Sequence, residues 1–270
     1  MLNKMQMAIV KKDMRAIMSN KRMRDVLIAV PLVLTVVVPL ILIVVILIFP
    51  PDSPFIAQFS EVLDASGLGG IASMPPNEFR LALLTILLNN MLPLFFLIIP
   101  VTSSLVMAAS AFVGEKEKST LETLLYCPLS LKDIFRAKIM ASFLVGLLVS
   151  AFSFVAMALA VQGLVALTTG ALIRPGISWL IVMFIVSPAV SLIAINLIVR
   201  GSAKAQTSEE SQQRGTFMLM PILFLIVGQF TGILMMSVMA FLVIGIILAL
   251  VALFMFRGSF SKFRYETLLQ

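Results

Sequence analysis

Five stretches of this chain, residues 26–49, 81–113, 139–162, 177–199 and 216–256, contain no Asp, Glu, Lys or Arg. About 20 consecutive apolar residues make a helix long enough to cross a hydrocarbon core about 30 Å thick. Inside that core the backbone has no water to bond, so a chain crossing it in such runs is helical. Composition points the same way. Hydrophobic residues are 60% of the chain and charged residues 12%, whereas a soluble surface needs roughly 25–35% charged residues. The sequence is therefore read as an all-α, polytopic membrane protein, a single transmembrane domain over residues 1–270.

Runs 26–49, 139–162 and 177–199 each suit one span. Run 216–256 holds 41 residues, about 61 Å as one helix at 1.5 Å per residue. It is expected to fold as a hairpin of spans 216–233 and 237–256, turning near 232–237. Run 81–113 is interrupted by Asn89, Asn90, Pro93 and Pro100, which suggests one kinked or locally unwound span. That makes six transmembrane helices. Lys and Arg number seven in 1–25, one in 50–80, five in 114–138, one in 163–176, three in 200–215 and three in 257–270. Alternate segments thus hold 18 and 2, and the positive-inside rule places both termini in the cytoplasm. The spans carry none of the charges that mark proton relays or ion sites, so the driving energy is expected to arrive from outside the membrane.

Three absences narrow the chemistry. The chain has no histidine, a single cysteine (Cys127) and no Gly-Lys dipeptide. It cannot build a Ser-His pair, a His-ligated metal, an internal disulfide or a G-x-x-x-x-G-K-[ST] phosphate loop. It is read as a non-enzyme that binds no cofactor or metal of its own. The pI of 9.9 follows from topology and does not imply nucleic acid.

The first 25 residues read as an amphipathic helix in the inner interface. Met7, Val10, Met14, Ile17 and Met18 recur at helical spacing, while Lys11, Lys12, Arg15 and Arg22 point elsewhere. The 24-residue run that follows is too long for the 7–15-residue core of a secretory signal. In the outer segment, Ser53, Pro54 and Gly67 signal the start and stop of a short helix. Phe55, Phe59, Val62 and Leu63 form its apolar face.

The segment 114–138 carries the strongest motif. Ser119 and Glu122 form a capping box, and Leu121, Leu124 and Leu125 an apolar face. Pro128 stops that helix, and Ser130 with Asp133 starts the next. An apolar-faced helix in a charged loop suits a groove on another protein, or packing beneath the membrane surface.

Gly114-Glu-Lys-Glu-Lys-Ser-Thr-Leu-Glu-Thr-Leu-Leu125, followed by Pro128-Leu-Ser130, resembles the signature after the second span of type-2 ATP-binding-cassette exporter permeases, with Ser119 where glycine is usual. Lys12-Asp13-Met14-Arg15 with Asn20-Lys21-Arg22, and Ala203–Gln206 with Glu209, Glu210, Gln212 and Gln213, are similar to that family's amino-terminal helix and second inner loop. The resemblance implies a permease that pairs with a second copy or a related permease, and with two separate ATPase subunits holding ATP and Mg. It implies that a short cytoplasmic coupling helix between spans 2 and 3 fits the ATPase. Leu121, Leu124 and Leu125 would make the apolar contact, while Glu115, Glu117 and Glu122 orient the loop. Multi-pass insertion in a prokaryotic plasma membrane goes with it.

Asn89, Asn90 and Pro93 are the candidate substrate pathway, because a broken helix can face a permeation route. An uncharged interior in a chain with 18 methionines suits an amphipathic peptide, lipid-like or drug-like cargo. The competing readings are an ATPase-independent secondary transporter or channel, and a non-transporting membrane anchor for an ATPase.

Overall fold

The computed structural model describes residues 3–50, 53–54, 56–57, 74–117, 129–202, 205–231 and 237–259, and these contain helices and turns but no strand. Helix α1 is Lys4–Ser19. Helix α2 joins Lys21–Leu32, a π-helical turn Val33–Val37 and Val38–Ile48. Helix α3 joins Pro76–Ile86, a π turn Leu87–Met91, Leu92–Phe96 and Ile98–Glu117. Helix α4 is Leu131–Thr169, and α5 joins Ile177–Ile181, a π turn Val182–Val186 and Ser187–Gly201. Ser208–Thr216, Leu219–Phe230 and Val238–Ser259 are α6, α7 and α8.

Five of these are long and apolar enough to cross a membrane: Met23–Ile48, Glu78–Glu117, Lys132–Thr169, Ile177–Gly201 and Val238–Arg257. The expected span 216–233 differs. Residues 216–231 of it are described, and the helix within them is broken at 217–218 and resumes as α7, whose 12 residues reach about 18 Å. Pro221 explains the break before it, because proline withholds the N–H that would continue the α6 ladder. Tighter bonds from Met218 N–H to Gly215 and from Met220 N–H to Phe217 turn the chain instead. Of the hairpin turn expected near 232–237, residues 232–236 lie outside the described residues, between the end of α7 and the start of α8. The first turn of the outer helix is present, with Ala57 N–H bonded to the Ser53 carbonyl at 2.9 Å. Its remainder also lies outside.

Each π turn ends two residues before a proline: Val37 before Pro39, Met91 before Pro93, Val186 before Pro188. A proline has no donor for the carbonyl four residues back, and widening the preceding turn re-registers the ladder. In α3, Leu92 N–H reaches the Leu87 carbonyl. The Leu88 carbonyl is thereby freed and accepts the Trp179 indole N–H at 2.8 Å. This is the physical form of the irregularity expected at Asn89–Pro93.

Helix α3 runs through the centre, packed on α4 and α5, and α5 packs in turn on α8. Phe96, Phe154 and Trp179 join α3, α4 and α5 in one ring cluster, with centroids 5.3 to 6.1 Å apart. Gly146 of α4 lies directly against Ser104 of α3, and the Ser191 hydroxyl of α5 reaches the Pro100 carbonyl at 3.4 Å. The small-residue spacings in α4 and α5 therefore serve close helix contact. Helix α4 spans 39 residues, well beyond the expected 139–162. It stops at Gly170, whose φ of 68° suits glycine.

That extension changes the setting of α1. Ile9, Val10 and Ile17 are buried with Ile134, Ala137 and Ala141 of α4 and Met107 of α3. Most of the face expected in the lipid interface therefore packs on protein. Met7 and Met18 are exposed and Met14 is half-buried.

Candidate functional site

The ends of α1, α3, α4 and α6 meet at the basic face of the bundle. Helix α1 starts with a capping box: the Asn3 side chain accepts from the first turn, and Asn3 N–H donates to Gln6 Oε1 at 2.8 Å. The other end of the same amide donates to Asp133 Oδ1 at 2.9 Å. Asp133 belongs to the start of α4, where Ser130 accepts its backbone N–H. The start signal read at Ser130 and Asp133 is thus a real helix cap, cross-linked to α1.

Two turns further along α1 lies a buried ionic network. Lys138 of α4 is 3% exposed. Its Nζ lies 2.7 Å from Glu115 Oε2 and 3.7 Å from Asp13 Oδ2, and it also donates to the Ala111 carbonyl. Glu115 Oε1 pairs with Lys12 at 2.6 Å. Taking these charges out of water is costly unless each finds a partner. Glu115 and the Ala111 carbonyl serve Lys138 well, and Asp13 is the less well-served member. Burial pushes the Asp13 carboxyl above its ordinary value, against the pull of the Lys138 charge, and Glu115 adds to the rise.

Glu117 ties in the fourth helix. Its Oε2 accepts the Ser208 backbone N–H at 3.1 Å and the Ser208 hydroxyl at 2.9 Å. The acceptor sits at the positive end of α6, where a carboxylate is favoured. Thr207 completes that start by accepting from Glu210 N–H. The Gln206 N–H that Glu210 accepts is the first cause holding its carboxyl below the ordinary range.

The residues singled out in the sequence fall in three places. Glu115 is buried at the centre of this site, while Glu117 is exposed at its edge and bonded to the start of α6. Leu121, Glu122, Leu124 and Leu125 lie outside the described residues. Asn89, Asn90 and Pro93 sit in the amino-terminal half of α3, at and just after its π turn. Asn89 Oδ1 accepts the Gly176 N–H at 2.6 Å, fastening the α4–α5 connection. The Asn90 carbonyl accepts from Gln229 of α7 at 2.7 Å, and Pro93 is buried. Sequence reasoning missed Lys138 as a buried partner, and it missed α6. Thr207 followed by Glu210 is a start signal that reveals α6; nothing local reveals Lys138.

The site is made of ion pairs and helix caps, and no group of three or more Cys, Asp or Glu suited to a metal occurs among the described residues. It ties α1, α3, α4 and α6 to one another. No curated protein and no solved structure matches the chain. The family model described as ABC-2 family transporter protein matches residues 7–241, taking in most of α1, the whole ionic network and the helices through the start of α8. The chain belongs to the ABC-2 transporter family, as a multi-pass permease component.

Proposed function

We propose that this chain is the membrane-spanning permease of an ATP-binding-cassette exporter, with both termini in the cytoplasm of a prokaryotic plasma membrane. One observation carries the reading: α1 is bonded to the chain on both sides of the segment 118–128. Lys12 and Asp13 meet Glu115 and Lys138, and Gln6 meets Asp133. A push on that segment would reach α1, α3 and α4 together, and through α1 the first span. In this reading the segment is the coupling helix. Leu121, Leu124 and Leu125 seat in a separate ATPase, and Glu122 orients the contact. Two such ATPases supply ATP and Mg, and a second permease completes the pathway. The cargo is amphipathic and leaves the cell.

The test is transport by reconstituted complex against its ATPase rate. Replacing Leu124 with Ala, or Glu122 with Gln, is expected to lower transport per ATP hydrolysed at least about tenfold while insertion and yield hold. Unchanged coupling in both variants would remove the assignment of this segment.

A further inference from the structure

Packing against α3 and α4 uses one side of α1. Its buried residues are Gln6, Ile9, Val10, Asp13 and Ile17. At 3.6 residues per turn, Met7, Met14 and Met18 line up within an arc of about 40° beside that buried side. Lys4, Lys11 and Arg15 line up within a similar arc beyond the methionines, nearly opposite the buried residues. Met7 and Met18 are each about half exposed, Met14 is half-buried, and all three basic residues are exposed. Lys4, Lys11 and Arg15 form no ion pair among the described residues. Helix α1 therefore carries three stripes in order around its axis: a face on protein, a methionine edge and a row of free cations.

Position adds to pattern. Helix α1 ends at Ser19, and the first helix able to cross a membrane starts at Met23. The end of α1 thus stands where the chain enters the hydrocarbon. An apolar edge flanked by cations at that depth matches the boundary between acyl chains and headgroups. The one carboxylate of α1, Asp13, is buried on the opposite side beside Lys138 and does not offset the basic row. An acidic protein or a nucleic acid could meet that row, but it would leave the methionine edge in water. A lipid surface satisfies both stripes at once.

We propose that this exposed side of α1 is a binding surface for anionic phospholipid. Met7, Met14 and Met18 enter the boundary of the acyl region, and Lys4, Lys11 and Arg15 hold headgroup phosphates. The Arg15 guanidinium can pair two phosphate oxygens at once, while the two lysines act as point charges. Attraction of this kind adds up over the basic residues near an anionic surface and fades within a Debye length. Gln6 and Lys12 of the same helix are bonded to Asp133 and Glu115. Lipid that holds α1 therefore also braces the ends of α3 and α4. The surface needs no ATPase, so the inference stands apart from the permease reading.

The experiment uses the full chain in nanodiscs of zwitterionic lipid. Photoreactive phosphatidylglycerol or photoreactive phosphatidylcholine with the same tails is added, and cross-links are mapped by mass spectrometry. The expected result is labelling of residues 4–19 by the phosphatidylglycerol probe at least about tenfold above the phosphatidylcholine probe, a factor equal to about 1.4 kcal/mol. In 1 M NaCl, where the Debye length is about 3 Å, the ratio should fall several-fold. Replacing Lys4, Lys11 and Arg15 together by Gln should bring the two probes within about twofold. Arg257→Gln, which removes an exposed cation at the end of α8, should leave the preference intact. A second measurement is independent of the triple variant: phosphatidylglycerol added to wild-type protein in detergent should raise the midpoint of thermal unfolding by several degrees, and phosphatidylcholine should not. Equal labelling by the two lipids, a preference that survives the triple substitution, or a midpoint indifferent to phosphatidylglycerol would overturn the proposal. So would an unlabelled α1 whose Lys4 or Lys11 cross-links to a co-purified protein, which would mark the stripe as a protein contact.

Discussion

Lys138 and Asp13 share a buried network but hold opposite energetic positions in it. Lys138 is well served, so removing it takes the buried cation away from both Glu115 Oε2 and Asp13. Lys138→Met is expected to cost about 3–5 kcal/mol, read as a lower midpoint of thermal unfolding in detergent; a wild-type midpoint would contradict the network. Asp13 binds its proton more tightly in the folded chain than in the unfolded one. Its contribution to stability is therefore greatest below the ordinary value of 3.8 and is lost as pH rises through the window up to the raised folded value. At neutral pH, Asp13→Asn is accordingly expected to match or exceed wild-type stability, with the difference shrinking as pH falls toward 4. None of this was legible in the sequence. Lys12 read as part of the polar face of an interfacial helix, Glu115 as a residue that orients the coupling loop, and Lys138 as one basic residue of the segment 114–138, because only the tertiary fold brings them together. Glu115 and Glu117 were found through the motif around them, and their bonds to Lys138 and Ser208 through the structure alone.

Among the elements, the three prolines preceded by π turns explain why α2, α3 and α5 are irregular where they are. The α3 turn bears most on the site side chains, since it frees the Leu88 carbonyl for Trp179 and lies beside the Asn90 carbonyl that Gln229 uses. Pro93→Ala restores a backbone donor, and the ladder should close into α-helical register. The buried Trp179 indole N–H then loses its acceptor, at about 1–3 kcal/mol. Trp179 is the single tryptophan, so its emission reports the change directly. A shifted spectrum with a lowered midpoint is expected, and an unchanged spectrum and midpoint would contradict this account of the turn. The irregularity was legible because Asn89, Asn90 and Pro93 interrupt an apolar run. The break between α6 and α7 was not, although Thr207, Glu210 and Pro221 signal it, because the unbroken hydrophobicity of 216–256 outweighs a local cap. The long α4 was hidden for the converse reason. Its first turns carry Lys132, Asp133, Arg136 and Lys138, and Gln162-Gly163 interrupts the apolar run before the last turns, so hydropathy marks only the middle of the helix.

At the scale of the whole molecule, apolar runs and charge parity specify an all-helical bundle with one basic face, because lipid imposes the same demand on every crossing. Interior order depends on contacts that no single run encodes: α3 at the centre, and α1 against α4 in place of lipid. The proposed exporter mechanism places its power stroke outside this chain and carries it inward through the bonds around 118–128. The most direct test is affinity purification of the complex from its native membrane in mild detergent, followed by mass spectrometry. The account predicts a stoichiometric ATPase that is lost when Leu121, Leu124 and Leu125 are replaced together by serine, with the permease itself still folded. A permease that purifies intact and alone, or an ATPase that stays bound to the triple variant, would contradict it.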